Sequence, residues 1–544
     1  MELSSLIAGL SKPAAYPFPV SEIEVCQTHI SAVFLAGDVV YKVKKPVKLP
    51  FLDFSTLELR RHFCEEEVRL NRRLAPDVYL GVVPVTSAGE RIAFEGPGEP
   101  IDWAVKMRRL PEAATLEQRV LRDEIGSTDV ARLAARLAHF HESAERTNHI
   151  ASFGRYEVVA RNIHENFAVS EPLIGRTISP AVRARLVTLT EESLRKFRPL
   201  IEARAARDVP CDTHGDLHVD HVYLFPGQPE PADLVIVDCI EFNERFRYTD
   251  PVADMAFLAM DLEFQGRRDL AAEFVRAYFE ASNDDEEGRS LLPLYLSYRA
   301  AVRGKVDGLQ LSEAEIPQAA RDRALVRARG HWLMALNALE VPAKQACLVL
   351  VGGLPGTGKS TLAKNLASQA GFQVIRSDVV RKELSGIAPD APARSEFEKD
   401  LYTTDSTDRT YAECLRRCEE LLFEGGRVIV DATMIEERRR RPFFELAVHW
   451  GVPALFLVCE ADEATTKSRL AARRGDASDA DWSVHLQSAR RWEPPFGAEL
   501  RQTRVINSSG DPRAVCDLAE RVLIEASLAG FPHRPLSSIV EHTE

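Results

Sequence analysis

Several features that would fix a function class are missing from this 544-residue chain. Its nine cysteines are odd in number and include no C-x-x-C pair, which argues against both a disulfide framework and a zinc site. Cys414 and Cys418 share a helix face but have no nearby partners in sequence, so reduced, mostly packed thiols are predicted. No apolar stretch approaches the ~20 residues of a membrane span. The opening Met-Glu-Leu-Ser-Ser has neither the basic region nor the long apolar run of a signal peptide, so the expectation is a cytoplasmic protein with no membrane partner. Internal repeats and low-complexity tracts are absent too. A net charge of −13 disfavours broad electrostatic binding to nucleic acid and leaves room only for a local basic groove.

What is there is the composition of a globular chain, 45% hydrophobic and 28% charged, long enough for more than one domain with separate cores. Its most informative stretch is Gly353, Leu354, Pro355, Gly356, Thr357, Gly358, Lys359 and Ser360, a complete GxxxxGK[ST] phosphate loop. The apolar run Cys347–Val351 precedes it, and Thr361 continues it into a helix-like segment. Glycines let backbone N–H groups close around phosphate oxygens, and the helix that follows adds the positive end of its dipole. Lys359 is placed for the β/γ-phosphates of a nucleoside triphosphate and Ser360 for Mg²⁺.

Around this loop the pattern is strand and helix in alternation. Strands are predicted at 347–351, 373–376, 427–431, 454–458 and 503–506, which implies a mainly parallel sheet covered on both faces. Upstream, residues 23–45 alternate around the hairpin signal Gly37-Asp38. Residues 55–75 read as a helix opened by the capping box Ser55-x-x-Glu58 and stopped by Pro76. Helices follow at about 128–146 and 181–205, then loops and short strands over 211–241, then helical periodicity from 251 to 338. The domain boundary is expected near residue 340.

The second strand of the C-terminal part ends in Arg376-Ser377-Asp378 and runs on to Arg381, putting a carboxylate and an arginine where ligands bind in open α/β sheets. Asp378 could take the proton of an attacking hydroxyl with Arg381 positioning the acceptor, or it could simply cap the next helix. Asp431 closes the third strand, placed to hold Mg²⁺ through water or to orient a substrate. Arg469, Arg473 and Arg474 precede a flexible acidic loop, as in a lid over phosphates; a solvated helix face is the alternative. The run Arg438–Arg441 is read either as a solvated or salt-bridged helix start or as a phosphate or polynucleotide contact. These motifs resemble the P-loop kinase family that contains the polynucleotide 5′-hydroxyl kinases and the zeta-toxin-like kinases. The resemblance spans about 341–525 and implies phosphate transfer from ATP to a hydroxyl, with Asp378 as general base and Arg473 in the lid position.

In the N-terminal part, His214-Gly-Asp216-Leu-His218 is followed by the strand Leu234–Val237 ending in Asp238. One acid can serve as base and the other as Mg²⁺ ligand. The segment resembles the catalytic loop of aminoglycoside phosphotransferases and their choline, fructosamine and homoserine kinase relatives. That resemblance makes Asp216 the base and Asp238 a metal ligand, and it puts His221 where the family has an asparagine, a second metal ligand. Asp220 is the substitute if His221 is passed over. Lys42 fits the third-strand lysine of such folds, with Lys44 on the same face. Glu67 lies in the helix stripe of Phe63, Leu70 and Leu74, so Lys42–Glu67 is the expected ion pair and Lys44 the alternate. Asp254 is read as a scaffold acid for the catalytic loop.

Over nearly the full length the order of domains resembles bacterial proteins described as bifunctional aminoglycoside phosphotransferase/ATP-binding proteins. This implies a multidomain α/β chain: a protein-kinase-like bilobal α+β domain over 1–340, a P-loop NTPase domain over 341–528 and a tail over 529–544. The cofactors implied are ATP and Mg²⁺, and the partner is a small-molecule or nucleotide hydroxyl acceptor.

Overall fold

The computed structural model describes residues 2–49, 51–89, 91–284, 286–313, 316–388, 403–472 and 480–529. The proposed tail beyond residue 529 and the lid residues 473–479 therefore lie outside the described residues. Packing divides the chain into two units. The first comprises residues 1–162 and 196–296, the second residues 163–195 and 297–544. Strand and helix begin to alternate just after residue 340, but by packing the segments 163–195 and 297–340 group with the second unit.

The first unit opens with a helix at Leu3–Leu10, followed by β1 (Glu24–Gln27), β2 (Ser31–Ala36) and β3 (Val39–Lys44). The Gly37-Asp38 turn joins the last two in register, Ala36 opposite Val39. After a short hairpin of β4 (Lys48–Leu49) and β5 (Leu52–Asp53), the strands β6 (Tyr79–Ala88), β7 (Arg91–Phe94) and β8 (Glu99–Arg108) complete an antiparallel sheet in the order β1-β2-β3-β8-β6-β7. Alternation along β3 sends Tyr41 and Val43 into a core with Leu10, Phe34 and Phe94. Lys42 and Lys44 take the opposite side, where helix Leu57–Asn71 supplies Cys64 and Val68. Thr56, rather than Ser55, caps that helix by accepting from the Leu59 N–H at 3.2 Å; Ser55 instead bonds the Asp53 carboxylate.

Further on, β9 (Cys211–Asp212) pairs with β12 (Tyr248–Thr249), and β10 (Val222–Leu224) pairs with β11 (Leu234–Ile236). These short ladders hold the loop bearing Asp216 and the turn bearing Asp238 at their ends. Helix Pro251–Phe264 runs beneath them and is buried almost throughout.

The sheet of the second unit contains β13 (Cys347–Gly352), β14 (Gln373–Arg376), β15 (Arg427–Asp431), β16 (Ala454–Glu460) and β17 (Thr503–Asn507). They are all parallel, in the order β14-β15-β13-β16-β17. Every residue of β13 is buried, as a continuous apolar run in a central parallel strand requires. Helices Lys359–Ala370 and Pro512–Glu525 cover one face through Leu362, Leu366, Cys516 and Leu523. Helices Thr404–Phe423 and Glu437–His449 also pack in this unit, burying Cys418, Leu422 and Phe443. Register aligns Val351 and Arg376 with Asp431, so the carboxyl ends of three strands converge beside the phosphate loop. All nine cysteines are free thiols and eight are buried. No helix among the described residues is long and apolar enough to cross a membrane.

Candidate active sites

The phosphate loop leaves β13 and enters helix Lys359–Ala370 with Gly353, Gly356 and Gly358 all at positive φ. A Cβ on Gly353 would lie 2.4 Å from the Cys459 carbonyl oxygen, so no other residue fits there. The Gly353 N–H donates to the Thr433 carbonyl at 3.1 Å, and the Ser508 hydroxyl donates to the Thr357 carbonyl from behind. Lys359 Nζ turns back to the Leu354 carbonyl at 2.8 Å, and His485 Nδ1 reaches the Pro355 carbonyl at 2.8 Å. Neither Ser508 nor His485 belongs to a motif, so sequence gave no signal for them.

Under the loop the Ser360 hydroxyl stands beside the Asp431 carboxylate. Burial pushes the Asp431 carboxyl above its usual range, and Lys359 and this hydroxyl oppose the shift. Arg376 Nε lies 3.4 Å from Asp431 Oδ2. Asp378 does not cap its helix: Arg376 holds that position, and Asp378 Oδ1 pairs with Arg381 Nη1 at 3.1 Å. Asp378, Arg381, Asp431 and Ser360 are thus gathered at the ends of β14, β15 and β13.

Arg473, assigned above to the lid, lies outside the described residues. Arg469 is described. Its Nη2 donates to the Ser508 carbonyl at 2.8 Å, and its Nη1 is buried without a partner, 3.2 Å from where a Gly358 Cβ would stand. A buried guanidinium donor left unbonded is costly, and a phosphate oxygen over the loop would satisfy it.

The arginine run is fully engaged with carboxylates. Arg438 and Arg439 pair with Asp408 and Glu436, the wholly buried Arg440 with Glu499, and Arg441 with Glu437. The salt-bridged reading describes it.

In the first unit both lysines of β3 meet Glu67. Lys42 Nζ is 3.0 Å from Glu67 Oε1 and 2.6 Å from Asp238 Oδ1. Lys44, fully buried, is 2.7 Å from Glu67 Oε2 and also pairs with Glu241. The expected pair and its alternate therefore coexist in one network. Burial would lower the Lys42 pKa, but Asp238 and Glu67 overcome this and raise it well above the ordinary value. Burial would likewise raise the Asp238 carboxyl, and Lys42 and His221 hold it far below instead. Asp238 has φ +64°, an uncommon conformation for a residue with a side chain, stabilised by its N–H donating to the Tyr79 hydroxyl at 3.1 Å.

The loop around Asp216 is fixed from below. Asp254 accepts from the His214 N–H at 3.1 Å and the Gly215 N–H at 2.8 Å, and it faces His141 Nε2 at 3.0 Å, which is the scaffold role read from sequence. His214 Nε2 bonds the Val237 carbonyl at 2.9 Å while its Nδ1 accepts from the Asp216 N–H at 3.3 Å. Burial lowers its pKa to about 4. His218 Nε2 is 2.9 Å from Asp216 Oδ1, and His221 Nδ1 is 2.8 Å from the Asp216 carbonyl. Asp216, His221 and Asp238 thus share one pocket edge, with His221 Nε2 3.7 Å from Asp238 Oδ2. His218 and Glu241 were not assigned roles from sequence; the i, i+2 spacing of Asp216 and His218 was the available signal for the first.

A family model described as an AAA domain matches residues 348–495. Two solved structures are similar in part. A gluconokinase from Sinorhizobium meliloti 1021 is 18% identical, with 34% of this chain and 94% of that one covered and a TM-score of 0.26. A choline/ethanolamine kinase family protein from Mesorhizobium loti is 14% identical, with 59% and 92% covered and a TM-score of 0.34. Among curated proteins, Uncharacterized protein Rv2004c of Mycobacterium tuberculosis and Uncharacterized protein Mb2027c of Mycobacterium bovis are each 35% identical over 469 residues, 86% of this chain and 90% of theirs. With a phosphate loop, a parallel sheet in the second unit and that extent of identity, the chain belongs to the same family as these mycobacterial proteins and carries a P-loop nucleotide-binding domain toward its C-terminus.

Proposed function

We propose that the protein is an ATP-dependent phosphotransferase that moves a γ-phosphate to a hydroxyl group of a small molecule or nucleotide, with a kinase-type site in each unit. The observation that carries this reading is the buried Asp431 carboxylate beside Ser360 beneath the phosphate loop, with the Asp378–Arg381 pair next to it. A hydroxyl and a buried carboxylate side by side are a donor set that suits Mg²⁺, so Ser360 and Asp431 would hold that ion. ATP with Mg²⁺, when bound, supplies the transferable phosphoryl group with its charge partly neutralised.

The chain's own residues do the rest. The loop backbone and Lys359 orient the phosphates, and Arg469 adds a guanidinium donor at the same place. Asp378 accepts the proton of the attacking hydroxyl, and Arg381 keeps its carboxylate aimed. Arg473 would join Arg469 as a lid residue. In the N-terminal kinase-like domain, proposed as residues 1–340, Lys42 and Glu67 order phosphates and Asp216 takes the acceptor's proton. We place the P-loop kinase domain at 341–528 and the protein in the cytoplasm. A polynucleotide acceptor has little support, since each arginine of 438–441 already pairs with a carboxylate.

A second reading makes residues 1–340 a degenerate ligand-binding or interaction module that regulates the P-loop kinase; the histidine at position 221 favours it. One experiment separates the two. Purified full-length protein is given labelled ATP and a metabolite extract, alongside Lys359→Ala and Asp216→Asn. Two separable sets of phosphorylated products, each lost in one variant, are expected. An Asp216→Asn protein with an unchanged product set leaves only the second reading, and an unchanged Lys359→Ala protein removes the P-loop assignment.

A further inference from the structure

The donor set in the first unit is not the one a magnesium kinase site would have. Mg²⁺ takes oxygen ligands in near-ideal octahedral geometry, and the site here offers two imidazoles. One carboxylate oxygen of Asp216 and one ring nitrogen each of His218 and His221 lie within 4.8 Å of one another. Asp238 Oδ2 is 3.7 Å from His221 Nε2, within reach as a fourth ligand.

The hydrogen bonds decide which nitrogens face this point. His221 Nδ1 lies 2.8 Å from the Asp216 carbonyl oxygen; a carbonyl only accepts, so Nδ1 carries the hydrogen and Nε2 keeps its lone pair. His218 Nδ1 faces Asp261 Oδ2 at 3.7 Å, while its Nε2 sits 2.9 Å from Asp216 Oδ1. Asp261 is fixed in turn by the Val219 N–H at 2.9 Å. His218 holds Nε2 against Asp216, with Nδ1 beyond hydrogen-bond distance of Asp261, whereas His221 turns one nitrogen to a backbone carbonyl and the other to the acids of the site. The latter is the arrangement that orients metal-ligating histidines. A nitrogen and an oxygen 2.9 Å apart also match two ligands of one ion with bonds of about 2.0 to 2.2 Å.

We propose that the first unit binds a first-row transition ion of the Mn²⁺, Co²⁺ or Zn²⁺ type, in preference to Mg²⁺, through Asp216, His218 and His221 with Asp238 beside them. Imidazole suits these ions and raises their affinity along the Irving–Williams order, whereas carboxylate and water suffice for Mg²⁺. This goes beyond the phosphotransferase reading and does not depend on it: the site is defined by ligand atoms, whether or not Asp216 also receives a proton from an acceptor.

The test is a Co²⁺ titration of the full-length protein by visible absorption, with calorimetric titrations of MnCl₂, ZnCl₂ and MgCl₂ in parallel. Asp431→Asn is the background, so that the Ser360–Asp431 site does not contribute. A d–d absorption band typical of nitrogen ligation is expected at one equivalent. His221→Asn should weaken Co²⁺ and Zn²⁺ binding by 10- to 100-fold without weakening Mg²⁺ binding. His218→Asn should shift the band, and the melting temperature of each variant shows that it is folded. A spectrum unaffected by Co²⁺ overturns the proposal. So does equal Co²⁺ affinity in wild type and folded His221→Asn. Neither result bears on phosphate transfer, which Lys359→Ala tests separately.

Discussion

Lys42 Nζ lies 2.6 Å from Asp238 Oδ1, tying the middle of an antiparallel sheet to the turn that follows the β10–β11 hairpin. The same ammonium also contacts Glu67, so one cation spans two carboxylates that come from a helix and a loop. Its neighbour Lys44 makes the complementary bridge, from Glu67 to Glu241. Two lysines and three acids form a chain of charges in which removing a member leaves another unpaired.

Lys44 is the structural half of that chain. Lys44→Ala would leave Glu67 and Glu241 buried with one cation fewer, and breaking a buried pair in this way destabilises by roughly 3 to 5 kcal/mol. Urea unfolding at an unchanged m-value measures it. A loss below about 1 kcal/mol, the range of surface pairs, would show that the network is solvated.

Lys359→Ala should weaken ATP binding and remove transfer by the second unit with little effect on folding, because the lysine is only partly buried. Gly353→Ala should do both kinds of damage, since its Cβ would meet the Cys459 carbonyl at 2.4 Å. Nucleotide binding by calorimetry and thermal denaturation, taken together, separate the two variants. Equal melting temperatures for both would contradict the packing argument.

Arg469 carries a buried donor with no partner among the described residues. Arg469→Ala should lower the transfer rate by about 10²- to 10³-fold, the usual loss for one preorganised donor. Arg469→Lys should recover little, because an ammonium cannot keep the Ser508 bond and reach the loop as well. Steady-state kinetics with an acceptor from the extract screen would show it, and full activity in the lysine variant would refute the geometric argument.

His214 makes stability fall in mild acid. Its folded pKa is lowered by burial to about 4, against roughly 6.5 in the unfolded chain. Above pH 6.5 neither state is protonated and the contribution is whole. As pH falls the unfolded chain takes up the proton first, so stability is lost progressively until about pH 4, by on the order of 3 kcal/mol in all. Unfolding free energies at several pH values in wild type and His214→Gln test this. Matching slopes in the two proteins across that window would exclude His214 as the source.

The sequence was most legible where chemistry forces backbone geometry. The phosphate loop needs glycines at positive φ, and a buried parallel strand needs an unbroken apolar run, so Gly353, Gly358 and all five strands of the second sheet could be read within a residue or two. Lys42 and Glu67 were legible because a carboxylate on an apolar helix stripe calls for a cation. That Lys44 shares Glu67 was left as an alternative, since alternation along β3 places both lysines on one face without saying whether the acid can serve both. Glu241 as the third acid depends on a turn whose path no local pattern encodes. Similarly, the placement of Arg469 depends on the strand end carrying Ser508, 39 residues away in sequence. The helix cap moved from Ser55 to Thr56 because Asp53 competes for the serine hydroxyl.

The division of the chain into units bears on the order in which the protein is made. Arg329 lies over the rings of Phe423 and Trp450 at 5.0 and 5.8 Å, and Arg427 donates to the Pro342 carbonyl at 2.9 Å. This helical wall of the second unit, residues 163–195 and 297–340, is therefore encoded ahead of its sheet. At synthesis rates of about 5 to 20 residues per second, the segment 163–195 waits on the order of 10 to 50 seconds for the rest of its unit. A gene fragment begun at residue 341 would omit that wall altogether.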